Sequence, residues 1–171
     1  EVGVKPPLDA KGKNVIIIGG GDTGNDCIGT SVRHGANSVV NLELLPKPPP
    51  ERAPHTPWPH WPHKHRTDYG HEEAAEICND GKDIRTFSVQ TKEFMGDGTK
   101  ITGIKICDLE WVHEAGRMNM KEVVGTERVL DADLVFLALG FLGPEGPLAQ
   151  QFGVKVERGN YSAQYTGPKA Y

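Results

Sequence analysis

The sequence predicts an α/β fold. A parallel sheet with flanking helices carries an antiparallel meander of three strands, inserted before the last parallel strand. Three observations predict it. The β-branched run Val15-Ile16-Ile17-Ile18 leads straight into three glycines and a helical stretch, which is the start of a βαβ unit. Residues 83–124 alternate strand-like segments with glycine-containing turns, the pattern of hairpins. Residues 129–139 (VLDADLVFLAL) then return to an apolar run suited to a buried parallel strand.

The elements follow in order. Residues 1–13 (EVGVKPPLDAKGK) are polar and hold Pro6-Pro7, and they read as a lead-in segment. Val15–Ile18 is a strand buried on both faces. A helix is expected from Thr23 to His34, with Gly35 at its C-terminal cap. Ser38–Leu45 (SVVNLELL) is the second strand. Residues 46–70 form a long loop, because eight of the thirteen prolines lie between Pro46 and Pro62 and proline suits neither helix nor central strand. A loop of that length in a compact domain is usually functional or mobile. His71–Asn79 is helical. Asp83–Gln90, Thr91–Met95, Ile101–Trp111 and Met118–Val124 are strands, separated by Gly96-Asp97-Gly98 and by Glu114-Ala115-Gly116-Arg117. Val129–Leu139 is the returning parallel strand. Residues 140–171 show no defined element.

Composition narrows the function. The chain has 171 residues and a mass of 18.7 kDa, enough for one domain with a real core. Lys plus Arg number 19 against 23 Asp plus Glu, a net charge of −4, so the basic excess of a nucleic-acid binder is missing. The longest nearly apolar run, Leu134–Gly143, is about half the ~20 residues that span a bilayer. No charged-then-apolar leader opens the chain. Its first residue, Glu1, points to an excised piece of a longer protein. Cys27, Cys78 and Cys107 form neither a CxxC pair nor a disulfide framework, which suggests a reducing, cytoplasmic setting.

The sharpest motif is Gly19-Gly20-Gly21-Asp22-Thr23-Gly24. It fits G-x-G-x-x-G at 19, 21 and 24, after a strand and at the start of a helix, the context that gives the pattern meaning. Gly19 permits the tight turn, Gly21 lets backbone approach a pyrophosphate, and Gly24 lets the helix pack closely on the strand. The N–H groups near Gly21–Thr23 and the helix dipole then favour an anion. Asp22 suits the first helical turn, while Asp26 reads as a solvated or partner-facing helix residue. Glu43 lies 19 residues after Gly24, where a carboxylate accepts hydrogen bonds from an adenosine ribose. It would repel a 2′-phosphate, which favours NADH over NADPH. Lys47 and Arg52 follow closely and are the alternative, as phosphate ligands. A solvated strand-end charge remains the plain reading of Glu43.

His55, His60, His63, His65 and His71 crowd the proline loop. Imidazole is a common zinc ligand, but a structural site wants four converging donors and the loop offers no cysteine. No metal site is therefore assigned, and the loop, with Trp58 and Trp61 among its prolines, reads as a solvated or partner-docking element. No serine or cysteine sits in a nucleophile context, so no catalytic residue is named.

Several stretches together resemble the small subunit, or flavoprotein part, of glutamate synthase. They are the glycine motif through Asn25-Asp26-Cys27, Asn41-Leu42-Glu43-Leu44-Leu45-Pro46, Trp58-Pro59-His60-Trp61-Pro62, Asp68-Tyr69-Gly70-His71-Glu72, Ala132-Asp133-Leu134 and Ala138-Leu139-Gly140-Phe141-Leu142-Gly143-Pro144-Glu145. The likeness runs from about Lys13 to Val154. It implies a Rossmann-like NAD(P)H domain of the pyridine nucleotide-disulfide reductase type at 14–143. It also implies a tail at 144–171 leading back to an FAD domain that lies outside these residues. It further implies hydride transfer from NAD(P)H to FAD, iron–sulfur clusters and a large-subunit partner in the full-length protein, and glutamate formation from glutamine and 2-oxoglutarate. Gly140, in the small-residue turn after the last parallel strand, joins Gly19–Gly24 and Glu43 among the implied cofactor contacts. Related reductases with another electron acceptor share much of this pattern. A docking module without catalysis is the other alternative.

Overall fold

The computed structural model describes residues 8–60, 63–114 and 116–162. The described chain divides into two compact units, the first ending at Leu139 and the second beginning at Gly140.

The first unit opens with strand β1 (Asn14–Ile18) and helix α1 (Asp22–Arg33), followed by β2 (Ser38–Leu42), α2 (Tyr69–Cys78) and β3 (Arg85–Thr86). Next come β4 (Val89–Gly96), β5 (Ile101–Glu114), β6 (Arg117–Glu122), β7 (Arg128–Asp131) and β8 (Leu134–Leu137). The parallel sheet has the order β3-β2-β1-β8. Its register sets Ile16 opposite Val40 on one side and Val135 on the other.

Strand β1 is central because its side chains are apolar on both faces. Val15 and Ile17 pack with Ile28 and Val32 of α1 and with Ala74 of α2. Ile16 points to the opposite face, against Val89, Ile104 and Ile106 of the antiparallel layer. Full burial of each such side chain is worth about 1.5–3 kcal/mol, and a one-residue slip of register would exchange the faces. Ala10, in the expected lead-in, is itself buried in the helix-side core.

The antiparallel layer differs from the expected three strands. Strand β5 is 14 residues long and pairs with β4 along one edge. Along the other edge it pairs with β7 in its first half and with β6 in its second. The fourth strand comes from the expected run Val129–Leu139, which breaks at Ala132-Asp133. Its first part, β7, runs antiparallel to β5, and its second part, β8, lies parallel to β1. Asp133 marks the crossing: its side chain accepts the Asn14 backbone N–H at 2.9 Å, and its own N–H donates to Asn14 O. The expected strand Asp83–Gln90 also breaks, between β3 and β4, at Ser88 with φ +53. At the β4–β5 turn, Asp97 Oδ1 accepts the backbone N–H groups of Thr99 and Lys100. Together with the Thr99 hydroxyl, these hydrogen bonds lower the Asp97 pKa to about 2.

Helix α2 begins two residues before the expected His71, because Asp68 precedes it in extended conformation and supplies the cap position. Helices α1 and α2 meet where both are small. The Gly70 N–H donates to Asn25 Oδ1 at 2.9 Å, and a β-carbon on Gly70 would lie 2.4 Å from Asn25 O. The Tyr69 hydroxyl donates to Asp26 at 2.6 Å, so Asp26 links the helices.

The second unit, expected to have no defined element, holds helix α3 (Gly146–Phe152) and a short hairpin of β9 (Val156–Glu157) and β10 (Asn160–Tyr161). Among the described residues no helix is long and apolar enough to cross a membrane.

Candidate functional site

The carboxyl ends of parallel strands, at the point where the chain leaves a central strand in both directions, form the ligand crevice of open α/β sheets. Here that point lies beyond β1, between β2 and β8. Gly19 leaves β1 with φ +104, and its N–H donates to Leu42 O at 2.9 Å. The Ala138 N–H donates to Ile18 O at 2.8 Å. A β-carbon on Gly19 would fall 2.2 Å from Ala138 O, and one on Gly24 would fall 2.4 Å from Gly19 O. The turn is thus closed on glycine from the strand side and from the helix side.

Gly21 faces open space, with nothing within 4 Å of a built β-carbon. It is the N-cap of α1 and has no side chain to cap the helix. The N–H groups of Asp22, Thr23 and Gly24 fall in the first turn, whose donors have no partner within the helix. Asp22 and Thr23 are exposed beside them. Gly140 begins the second unit with φ +83.

Asn41 of β2 is fully buried. Its Nδ2 donates to Ile17 O at 3.2 Å and to Gly19 O at 3.0 Å, which ties the glycine turn to the second strand. A polar residue within the apolar SVVNL was a visible signal that sequence reasoning passed over.

Glu43 follows β2. Its carboxyl lies against Gly20, and burial raises its pKa above the ordinary glutamate value, with the Arg85 charge pulling the other way. A cleft of about 240 Å³ opens beside it, lined by Gly20, Asp22, Lys64, His65, His71 and Arg85 among others. Arg85 is the hub of this wall. Its side chain is only 5% exposed. Nε and Nη2 donate to the two Asp83 carboxylate oxygens at 2.8 and 2.9 Å. Nη1 donates to Arg66 O, and Nη2 reaches Thr67 Oγ1 at 3.1 Å and stands 2.9 Å from His65 Nε2. Burial would raise the Asp83 pKa, but the Arg85 hydrogen bonds and charge outweigh it and hold the carboxyl low. His71 is buried, with Nδ1 accepting the Asp68 N–H at 3.3 Å. Burial, and then the Arg85 charge, lower its pKa. No spacing in the sequence flagged Arg85 or Asp83, because their role depends on the return leg of the proline loop.

The proline loop is internally held. Arg52 Nη1 donates to Thr56 O and to His60 O, both at 2.8 Å, and the His65 N–H donates to Pro49 O. Arg52 is therefore turned into the loop and does not line the cleft. Lys47 Nζ is 4.0 Å from Asp83. His55 and His63 have ring centroids 6.0 Å apart, and among the described residues no three potential metal ligands gather. Trp58 is 83% exposed. Trp61 lies outside the described residues.

No family model matches the chain. It is 51% identical over 166 residues to a protein named glutamate synthase [NADH] of Schizosaccharomyces pombe, covering 96% of this chain and 8% of that one. It is 44% identical over 160 residues to the glutamate synthase [NADPH] small chain of Mycobacterium tuberculosis, covering 91% of this chain and 30% of the other. The chain thus spans less than a third of these relatives' own length. Among solved structures it resembles the thioredoxin reductase of T. acidophilum (TM-score 0.55, 22% identity, 90% of this chain and 44% of the other). It also resembles the Bacillus cereus bacillithiol disulfide reductase (TM-score 0.56, 16% identity, 91% and 37%). These structural likenesses establish the fold.

Proposed function

We propose, from the 51% and 44% identity to proteins named glutamate synthase, that residues 14–143 are the NAD(P)H-binding domain of a glutamate-synthase-type flavoprotein. In the full-length protein this domain serves hydride delivery to an FAD held by a neighbouring domain of the same chain. The electrons then serve reductive glutamate synthesis from glutamine and 2-oxoglutarate, with iron–sulfur clusters and the large subunit as partners. The reading of 144–171 as the path back to the FAD domain, with Gly140 near the cofactor, belongs to the same proposal.

Hydride donation is the chemistry of the nicotinamide; the residues of this chain bind and orient. The first-turn N–H groups of α1 at Asp22, Thr23 and Gly24 take the pyrophosphate oxygens, favoured by the helix dipole. Gly19, Gly20 and Gly21 leave the room this needs. Glu43 accepts a hydroxyl of the adenosine ribose. No side chain is assigned a proton-transfer role. One observation carries the reading: an uncapped helix start at Gly21, open to its surroundings, stands next to a partly buried carboxyl at the end of the adjacent strand.

NADH is the favoured cofactor. A 2′-phosphate would meet the Glu43 carboxylate, Arg52 is committed to loop carbonyls, and Arg85 is committed to Asp83.

Calorimetric titration of the full-length protein with NADH and with NADPH tests this reading. NADH is expected to bind several-fold tighter, and Glu43→Ala to weaken it by about tenfold to a hundredfold, the scale of a hydrogen bond to a charged group. Equal or reversed affinities would overturn the Glu43 assignment and shift the ribose end to Lys47 or Lys64. No binding of either would overturn the domain assignment. NADH oxidation that proceeds with another electron acceptor, and not with glutamine plus 2-oxoglutarate, would overturn the glutamate reading alone.

A further inference from the structure

The ribose segment 43–45 is held by the antiparallel layer rather than by the parallel sheet alone. Three successive carbonyls each receive one hydrogen bond from it. Glu43 O accepts the Val89 N–H at 3.2 Å, Leu45 O accepts the Ser88 N–H at 3.1 Å, and Leu44 O accepts the Trp111 indole Nε1–H at 3.1 Å. Val89 begins β4 and Ser88 precedes it, whereas Trp111 lies far along β5. The bond to Leu44 is thus the one made by a side chain, and it spans 67 positions in sequence. Leu44 and Leu45 also line an apolar cleft of about 360 Å³ with Gly19, Val89, Thr91 and Leu139, immediately beside the glycine turn.

We propose that Trp111 is a positioning residue for nucleotide binding: its indole N–H, donated to Leu44 O, sets the backbone from which Glu43 reaches the ribose. The inserted layer is on this view a working part of the cofactor site. The physical reason is leverage. Leu44 and Leu45 lie past the last residue of β2 and are 44% and 51% exposed, so packing holds their backbone weakly. The Val89 and Ser88 N–H groups fix the two ends of the segment, and the bond to the middle carbonyl fixes the peptide plane between them. The inference rests on Glu43 being the ribose residue.

The test uses the full-length FAD-loaded protein, with NADH or NADPH as donor and ferricyanide as acceptor. Trp111→Phe keeps the aromatic ring and removes the N–H. It is expected to raise KM for NADH by about threefold to tenfold, the scale of one lost neutral hydrogen bond, with a smaller effect on kcat and a narrower NADH-over-NADPH preference. A purely structural role would lower the amount of folded protein and leave KM and preference alone. Glu43→Ala, measured alongside, separates the two readings. If it shifts KM and preference while Trp111→Phe does not, the positioning role is overturned. If neither variant changes them, the Glu43 reading itself fails. A readout on the unaltered protein does not depend on the variant folding. With 15N-labelled tryptophan, the Trp111 indole N–H is expected to be protected from exchange and to shift on addition of NADH. A freely exchanging indole that does not respond to NADH would overturn the proposal.

Discussion

The Glu43 carboxyl rests on the α-carbon of Gly20: a β-carbon built on Gly20 would fall 1.2 Å from Glu43 Oε1. The second glycine of the motif, a position the fingerprint leaves free, is therefore also in close contact, although with a movable side chain where Gly19 and Gly24 meet backbone. Its constraint comes from a side chain on the neighbouring strand end.

Gly20→Ala should act through Glu43. The new methyl group cannot coexist with the carboxyl where it stands, so the side chain must swing away from the turn. Binding of NADH should weaken by about 1.5–3 kcal/mol, the range for a hydrogen bond to a charged group, and the NADH-over-NADPH preference should fall towards unity. Titration with both nucleotides checks this. An unchanged preference would mean that Glu43 reaches the ribose from another rotamer.

Glu43 should also leave a mark on the pH dependence of stability. Its folded-state pKa is raised by burial, so the native protein binds the proton more tightly than the unfolded chain does. The stability it contributes is then present below the ordinary glutamate value of 4.5 and is lost as pH rises through the folded-state value. Urea unfolding of the unaltered protein and of Glu43→Gln, followed upward from that pH, should show the unaltered protein losing stability relative to the variant. Parallel curves would remove the burial argument. Nucleotide binding should run the opposite way, because the ionised carboxylate is the acceptor.

Asn41→Ala should cost about 1–3 kcal/mol, because two carbonyls at the glycine turn lose a buried donor. Ile17 O and Gly19 O would both lose the Asn41 amide as a donor, and the Gly19 end of the cradle would loosen. A drop in the urea midpoint together with a raised KM for NADH is expected. Loss of stability without any change in KM would confine Asn41 to the core.

Much of the candidate site was legible because it is local. The β-branched run, three glycines and a helix within 20 residues state their own geometry, and β1, α1 and β2 form close to their expected places. Glu43 is found by counting along the same unit. One apolar run, by contrast, serves two layers. Residues 129–139 look uniform in sequence, yet Ala132-Asp133 is where the chain passes from the antiparallel layer into the parallel sheet. Apolar periodicity reports burial and does not report the partner. Ser88 is a similar case, since its positive φ breaks an apparently continuous strand without glycine or proline to announce it.

The βαβ unit, the glycine turn, the acidic strand end and the likeness to glutamate synthases are all written in the chain, because each depends on residues close together or on direct identity. Tertiary structure alone decided which groups surround that acid. The Arg85–Asp83 pair, the return leg of the proline loop at His65–Thr67 and the Trp111 bond to Leu44 all come from segments far from Glu43 in sequence. The physical reason is that a charge or donor acquires its role from the dielectric and the partners around it. Those are set only when the antiparallel layer and the loop have closed against the ends of the parallel strands.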